Sequence, residues 1–428
     1  MSFLTHSRLH VSGAWLIWGT YIAVLIVAPW VFHSNLALTV LSQIGAFAIA
    51  TLSYNMLLGQ SGMLSFGHAV YIGLGGFIAI HTMNLVVAGK FWIPTSLIPL
   101  VGGLGGAFFG VVFGYVTTKR SGTTFAMITL GIGELVASSA LTFPGFFGGE
   151  AGITTDRTLG VKIPGITYGP QIQVYYLIAF WLLICTAGMY AFTRTPLGRI
   201  ANAVRDNPER AQFIGYNTQI VRFLVVIIAG FFAGISGGLS AINFEIVSSE
   251  NVGAAVSGLV LLFTFLGGAG TFVGPIIGAV VYALSYVLLS NITNAWLLYL
   301  GLIFLIMVMY APGGISSLLQ MNLRVVRFGQ WHRLRLAYLV LFTAALPLFF
   351  GVTTLIEMIY ALQLDVGNGT VTHVYGIELD VAHAVPWMSA AGVAILGAFT
   401  AFQGARYFKV RWDSVQRDIA LSMAKAAV

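Results

Sequence analysis

Charge is what this chain has least of. Only 8% of its 428 residues are Asp, Glu, Lys or Arg, whereas 58% are hydrophobic and the mean hydropathy is +0.91. A soluble domain carries about 25% charged residues, so the composition excludes a water-soluble fold and defines an integral membrane protein. The single cysteine, Cys185, lies in an apolar run, which rules out an intrachain disulfide. The histidines show no metal-ligand spacing. A phosphate-binding loop is missing too, because the sole Gly-Lys pair, Gly89-Lys90, is followed by Phe91. Gly103/Gly105, Gly131/Gly133 and Gly268/Gly270 each lack the third glycine of a dinucleotide fingerprint. With no catalytic constellation, the chain reads as a non-enzyme that itself binds no metal and no cofactor.

What it has in abundance is apolar sequence. A span needs about 20 apolar residues, and runs of that kind occur at 14–33, 36–58, 63–89, 91–118, 121–143, 171–193 and 223–244. Residues 251–323 carry no charge and hold room for three more, divided at GGAGTFVGP (267–275) and NITN (291–294). Two further runs lie at 336–357 and 384–405. The first run is longer than a signal-peptide core and is followed by another apolar run from Leu36, so it is read as a retained span. The expected fold is an all-α polytopic membrane protein. It has a core of about ten spans with broken helices, residues 1–329, and an appendage, residues 330–428, with about two more spans and a basic tail.

Sidedness follows from charge. With the N-terminus inside, every Lys and Arg except Lys90, Arg157 and Lys162 falls on the cytoplasmic side. The acids Glu150, Asp156, Glu245, Glu250, Glu357, Asp365, Glu378 and Asp380 fall outside. Both termini are then cytoplasmic, and the net charge of +7 reflects sidedness and not nucleic-acid binding.

Against this background GQSGMLSFGHA (59–69) is out of place. Gly and Ser loosen a helix and expose polar groups, tolerable at membrane depth only where protein or a water-filled cavity satisfies them. Discontinuous helices of this kind expose backbone groups to solutes in transporters, and Gly267–Pro275 reads as the counterpart break. His68 and Glu134 are the notable ionisable residues inside spans. For Glu134 a functional role and a structural hydrogen-bonded acid weigh equally; for His68 a structural bond holding the broken segment weighs more. Small pairs four residues apart, Gly102/Gly106, Gly110/Gly114, Gly234/Gly238 and Gly274/Gly278, point to close helix packing.

The segment TPLGRIANAVRDNPERAQFIGYN (195–217) is polar and long. Pro196 after Thr195 starts one helix, and Asn207-Pro208 ends it and caps another running to about Ile214. Two short helices make a rigid knob, suited either to docking a soluble partner or to anchoring topology alone.

Here a family resemblance emerges. GR…A.RDN…A…GYN followed by an apolar helix resembles the ATPase-contacting loop of LivM-type permeases, subunits of ABC importers for branched-chain amino acids. GQSGMLSFGHAVYIGLGGF (59–77), TTFAMITLGIGELV (123–136) and GGAGTFVGPIIGA (267–279) are similar to further family stretches in the same order, together covering about 36–315. The appendage is a departure. ISGGLSA (235–241), similar to an ABC ATPase signature, lies in an apolar helix without a Walker motif and is set aside. The resemblance implies a bacterial inner-membrane permease forming half of a translocation path for hydrophobic amino acids. Its implied partners are a second related permease, two cytoplasmic ATPases carrying ATP and Mg, a periplasmic binding protein and membrane lipid. The path residues implied are Gly59, Gln60, Ser61, Gly62, Ser65, His68, Glu134, Gly267, Gly268 and Gly270. Coupling to the ATPase would rest on Gly198, Arg199, Arg205, Asp206, Asn207, Glu209 and Gly215, with Arg205, Asp206 and Glu209 fanning outward. Urea, short amides and aromatic acids remain open as substrates, and a secondary transporter or passive channel as rival classes.

Overall fold

The computed structural model describes residues 3–160, 167–364 and 371–427; Lys162 and Asp365 lie outside the described residues. The chain is helical almost throughout. It begins with α1 (Phe3–Val31), α2 (Asn35–Ser61), α3 (Ala69–Val87), α4 (Ile98–Thr117), α5 (Thr123–Thr142) and the single turn α6 (Pro144–Phe147). Strand β1 (Ile153–Thr154) precedes α7 (Gln171–Arg194), the short α8 (Pro196–Asp206) and α9 (Pro208–Phe213), and the long α10 (Thr218–Phe244). After β2 (Ile246–Val247) come α11 (Ala254–Gly267), α12 (Gly274–Leu284), α13 (Ser290–Ile292), α14 (Trp296–Tyr310) and α15 (Gly314–Arg327). The chain ends with α16 (Trp331–Leu364), the hairpin of β3 (Val371–Val374) and β4 (Ile377–Asp380), and α17 (Ala384–Ala427).

Among the described residues nine helices are long and apolar enough to cross a membrane, or ten if the α14–α15 pair, bent by 52°, makes one span. The fold class is the expected one. The count differs from the expected twelve or so at α1, whose apolar stretch Trp15–Val31 is shorter than a span, and in residues 251–323, which have the length for three spans. There α11 has only 14 residues, about 21 Å at the helical rise, too short to cross alone. The glycine-rich break at 268–273 separates it from the span Gly274–Ile292.

Two compact units divide the chain: residues 1–287 with 307–316, and residues 288–306 with 317–428. In the first, α10 packs along α2, α3 and α4, and the contacts with α3 and α4 are backbone to backbone. A methyl group at Gly234 would come within 2.2 Å of the Gly102 carbonyl oxygen, and one at Gly106 within 2.1 Å of that of Gly230. The four-residue glycine spacing in both helices thus serves close approach. The loop at the far end of α10 is clasped by Arg157. Its guanidinium donates to the carbonyls of Ile242 at 3.1 Å, Asn243 at 3.0 Å and Tyr168 at 2.8 Å, and its main-chain N–H donates to Glu245 at 3.0 Å. There β1 pairs antiparallel with β2, Ile153 opposite Val247.

The second unit is built on the antiparallel pair α16 and α17. Small residues again set the spacing, since methyl groups at Gly351 and Gly397 would strike the backbones of Ala394 and Leu348. Residues 293–299 belong to this unit because Thr293 and Tyr299 both donate to Glu357 of α16, at 2.6 Å and 2.8 Å.

Gly237→Ala places a methyl 1.9 Å from the Ile72 carbonyl oxygen. Overpacking of this kind costs about 1–3 kcal/mol, so the purified variant is expected to melt well below wild type. Gly19→Ala, with open space around the new methyl, should leave the melting temperature unchanged.

Candidate functional site

The GQSG stretch lies at the end of a helix and not in its middle. Ser34 caps α2, its hydroxyl accepting from the Ala37 N–H at 3.1 Å, and the helix runs 27 residues, about 40 Å, to Ser61. Gly62 then takes the left-handed conformation, φ 68°, that closes a helix C-terminus, and the N–H of Met63 bonds the Leu57 carbonyl at 2.9 Å. The chain turns back and climbs without helix beside the last turns of α2. The Tyr54 hydroxyl donates to the Ser65 carbonyl at 2.9 Å, and Ser53 shares a 2.9 Å hydrogen bond with His68 Nε2. The Phe66 N–H donates to Thr129 of α5 at 3.1 Å and the Ala69 N–H to Ser257 of α11 at 2.9 Å.

This return is enclosed by protein. Ser61, Ser65 and His68 are buried, and His68 also packs edge-on against the Tyr54 and Tyr71 rings. Its geometry is that of a peg holding the return segment. Ser65 and His68, expected on a path wall, are buried in this structure, with Ser65 Oγ and His68 Nδ1 making no hydrogen bond to any described residue.

The second break meets the first. A methyl at Gly59 would lie 2.4 Å from the Ala269 carbonyl oxygen, and Thr51 of α2 donates to the Pro275 carbonyl at 3.0 Å. Gly267 and Gly268 are buried, with the Gly274 and Gly313 carbonyls against them, while Gly270 is exposed.

The polar knob is docked on this junction. Both helices form as read from the sequence: Thr195 Oγ1 caps α8 at the Gly198 N–H, 3.2 Å, and Asn207 Oδ1 caps α9 at the Arg210 N–H, 2.9 Å. Gly198 lets α8 press on the end of α7, because a methyl there would meet the Phe192 carbonyl oxygen at 2.3 Å. Gly215, at φ 94°, makes the turn after α9. Asn202 donates to Gln60 Oε1 at 2.9 Å, and Arg205 donates to the Gly59 carbonyl, its side chain lying over Gly62. Arg205 was expected to fan outward. It points inward instead, because the unsatisfied carbonyls and partial negative charge at the end of α2 attract a guanidinium. Asp206 pairs with it at 2.9 Å from the solvent side. Arg199 and Glu209 are exposed.

The outward face of the knob carries what sequence reasoning missed. Phe213 is 90% exposed and Ile214 66%, with Tyr216 beside them. Their apolar character in a segment otherwise rich in charge was the available signal. Also unforeseen is a cavity of about 140 Å³ between α2, α3, α10, α11 and α12, lined by Gln43, Phe47, Ser236, Asn251 and Tyr282 among others. Glu134, read as an ionisable residue inside a span, is exposed on α5.

Apolar helices packed through glycine, two interrupted helices meeting at one end and a polar two-helix knob seated on that meeting point define a membrane transport permease. The chain belongs to the family described as branched-chain amino acid transport system / permease component, whose model matches residues 36–311. It is 26% identical to the high-affinity branched-chain amino acid transport system permease protein LivM of Salmonella typhimurium, over 71% of this chain and 76% of that protein. It is 25% identical to the Escherichia coli protein of the same name, over 65% and 69%. The fructose import permease protein FrcC of Rhizobium meliloti is 25% identical over 54% of this chain and 67% of its own length. No solved structure shows a significant match.

Arg205→Ala removes a charge-assisted bond of the kind that contributes about 1.5–3 kcal/mol, here at the low end because the side chain is partly exposed. Amide hydrogen exchange is expected to speed up in 59–63 and 196–206 together. Faster exchange confined to 196–206 would show that the knob and the α2 end are not energetically joined.

Proposed function

We propose that this chain is one permease subunit of an ATP-driven importer of branched-chain amino acids in a bacterial inner membrane, with both termini and the knob cytoplasmic. One observation carries the reading: the knob has an inner face bonded to the end of α2, where the second break also meets it, and an outer face of exposed aromatic and charged groups. An element of that form passes movement from a soluble partner to interrupted helices. Exposed aromatic side chains are the type that dominates binding at protein interfaces, so Phe213 and Tyr216, flanked by Arg199, Glu209 and Arg210, fit the cleft of an ATPase subunit. ATP and its magnesium belong on that partner, of which the importer has two. A second related permease completes the path, and a periplasmic binding protein delivers the solute. Residues 330–428 are an appendage to this machinery.

The amino-acid reading is supported by the family's description and by the LivM relatives. A sugar importer is the second reading, supported by the similar identity of the fructose permease of Rhizobium meliloti and the galactose/methyl galactoside permease of Escherichia coli.

The test is uptake by vesicles holding the complete importer. L-Leucine uptake is expected to require both ATP and the binding protein, and D-galactose is expected to stay outside. Phe213→Asp should abolish co-purification of the ATPase while the permease still inserts. Leucine uptake without ATP, or accumulation of galactose alone, would refute the assignment.

A further inference from the structure

Glu134 is a charged side chain within a membrane span for which the described residues offer no partner. It is the twelfth of the 20 residues of α5, about 17 Å from one end and about 12 Å from the other, so it sits well inside the hydrocarbon. Gly133 beside it packs on Gly67 of the buried return segment, 3.6 Å from its Cα to a methyl built at Gly133. That contact fixes the rotation of α5 and leaves Glu134, about 100° further round the helix, on an exposed side.

The other acids show what this chain does with a structural carboxylate. Glu357 accepts from Thr293 and Tyr299, and Glu245 from the Arg157 main chain. Glu134 makes no hydrogen bond or ion pair with any described residue. Along the same side of α5 Thr124, Gly131 and Ser138 are also exposed, together with the apolar Met127 and Leu141, and the space beside Gly131 is open. A carboxylate on an intramembrane helix is too costly to face lipid, so this face meets water or a cationic group.

We propose that Glu134 is a specificity-determining residue that receives the ammonium group of the solute midway through the membrane. The proposal rests on the amino-acid reading above and names the chemistry by which this site prefers it. A free amino acid brings one primary ammonium, whose three donors suit a lone carboxylate. A sugar brings no cation and gains nothing from it. A single fixed charge also leaves the solute free to depart, since no second group holds it. The open space beside Gly131 leaves room for the rest of the solute, whose apolar side chain would meet Met127 and Leu141.

The experiment uses the complete importer, with Glu134→Gln and Glu134→Asp compared with wild type for uptake of L-leucine, ATPase activity and co-purification of the second permease. Glu134→Gln keeps size and loses charge, and is expected to lower leucine uptake about tenfold or more, the range of a lost charge-assisted bond. Glu134→Asp should recover most of it, with the second permease co-purifying in both and leucine-stimulated ATPase activity falling together with uptake in Glu134→Gln. Wild-type uptake by Glu134→Gln would overturn this proposal alone. Loss of the second permease from Glu134→Gln would also overturn it, by making the carboxylate an interface group. Absence of leucine uptake by the wild-type importer would instead overturn the reading on which the proposal rests.

Discussion

In hydrocarbon a peptide group has no water to bond, and an unpaired one costs several kcal/mol. The rest of this structure depends on how that demand is met where helices stop. At the α2–α3 break the demand is met by neighbours: Tyr54 and Thr129 serve the backbone of Ser65 and Phe66, and Ser257 serves Ala69. The hydroxyls come from three different helices, so the break ties α2, α5 and α11 together. An interruption that would weaken a soluble helix here becomes the place where the bundle is joined.

The same demand explains why the knob sits where it does. The carbonyls at the end of α2 need donors, and Arg205 brings a cation to that of Gly59 while Asn202 holds the Gln60 side chain beside it. An arginine reaches a carbonyl with a fork of donors and keeps its charge whatever the surroundings. The result is a polar seam between a segment built for water and two built for lipid.

Much of this was legible in the sequence. Hydropathy runs located the spans, and Thr195-Pro196 and Asn207-Pro208 located both knob helices, because capping is a local property of two or three residues. The four-residue glycine pairs located the closest helix contacts. Other features were not legible. Gly, Ser and Gln are equally at home in a mid-membrane break and at a helix end, so GQSG did not show that α2 continues to Ser61. Which way Arg205 turns depends on the α2 carbonyls, more than 140 positions away in the chain. The exposure of Glu134 depends on the Gly67–Gly133 contact, which no periodicity announces.

The backbone contact between α10 and its neighbours has a mechanical consequence. Where side chains interlock, one helix slides on another by switching rotamers. Between Gly234 and Gly102, or Gly106 and Gly230, no side chains are present to switch. Sliding would drive carbonyl oxygen into Cα, so α3, α4 and α10 form a stiff block that turns as one piece. Rotation has to be taken up where dihedral angles are free to change, as at any hinge. In this unit the non-helical stretches 62–68 and 268–273 have that freedom, and both lie next to Gly59, where the knob takes hold.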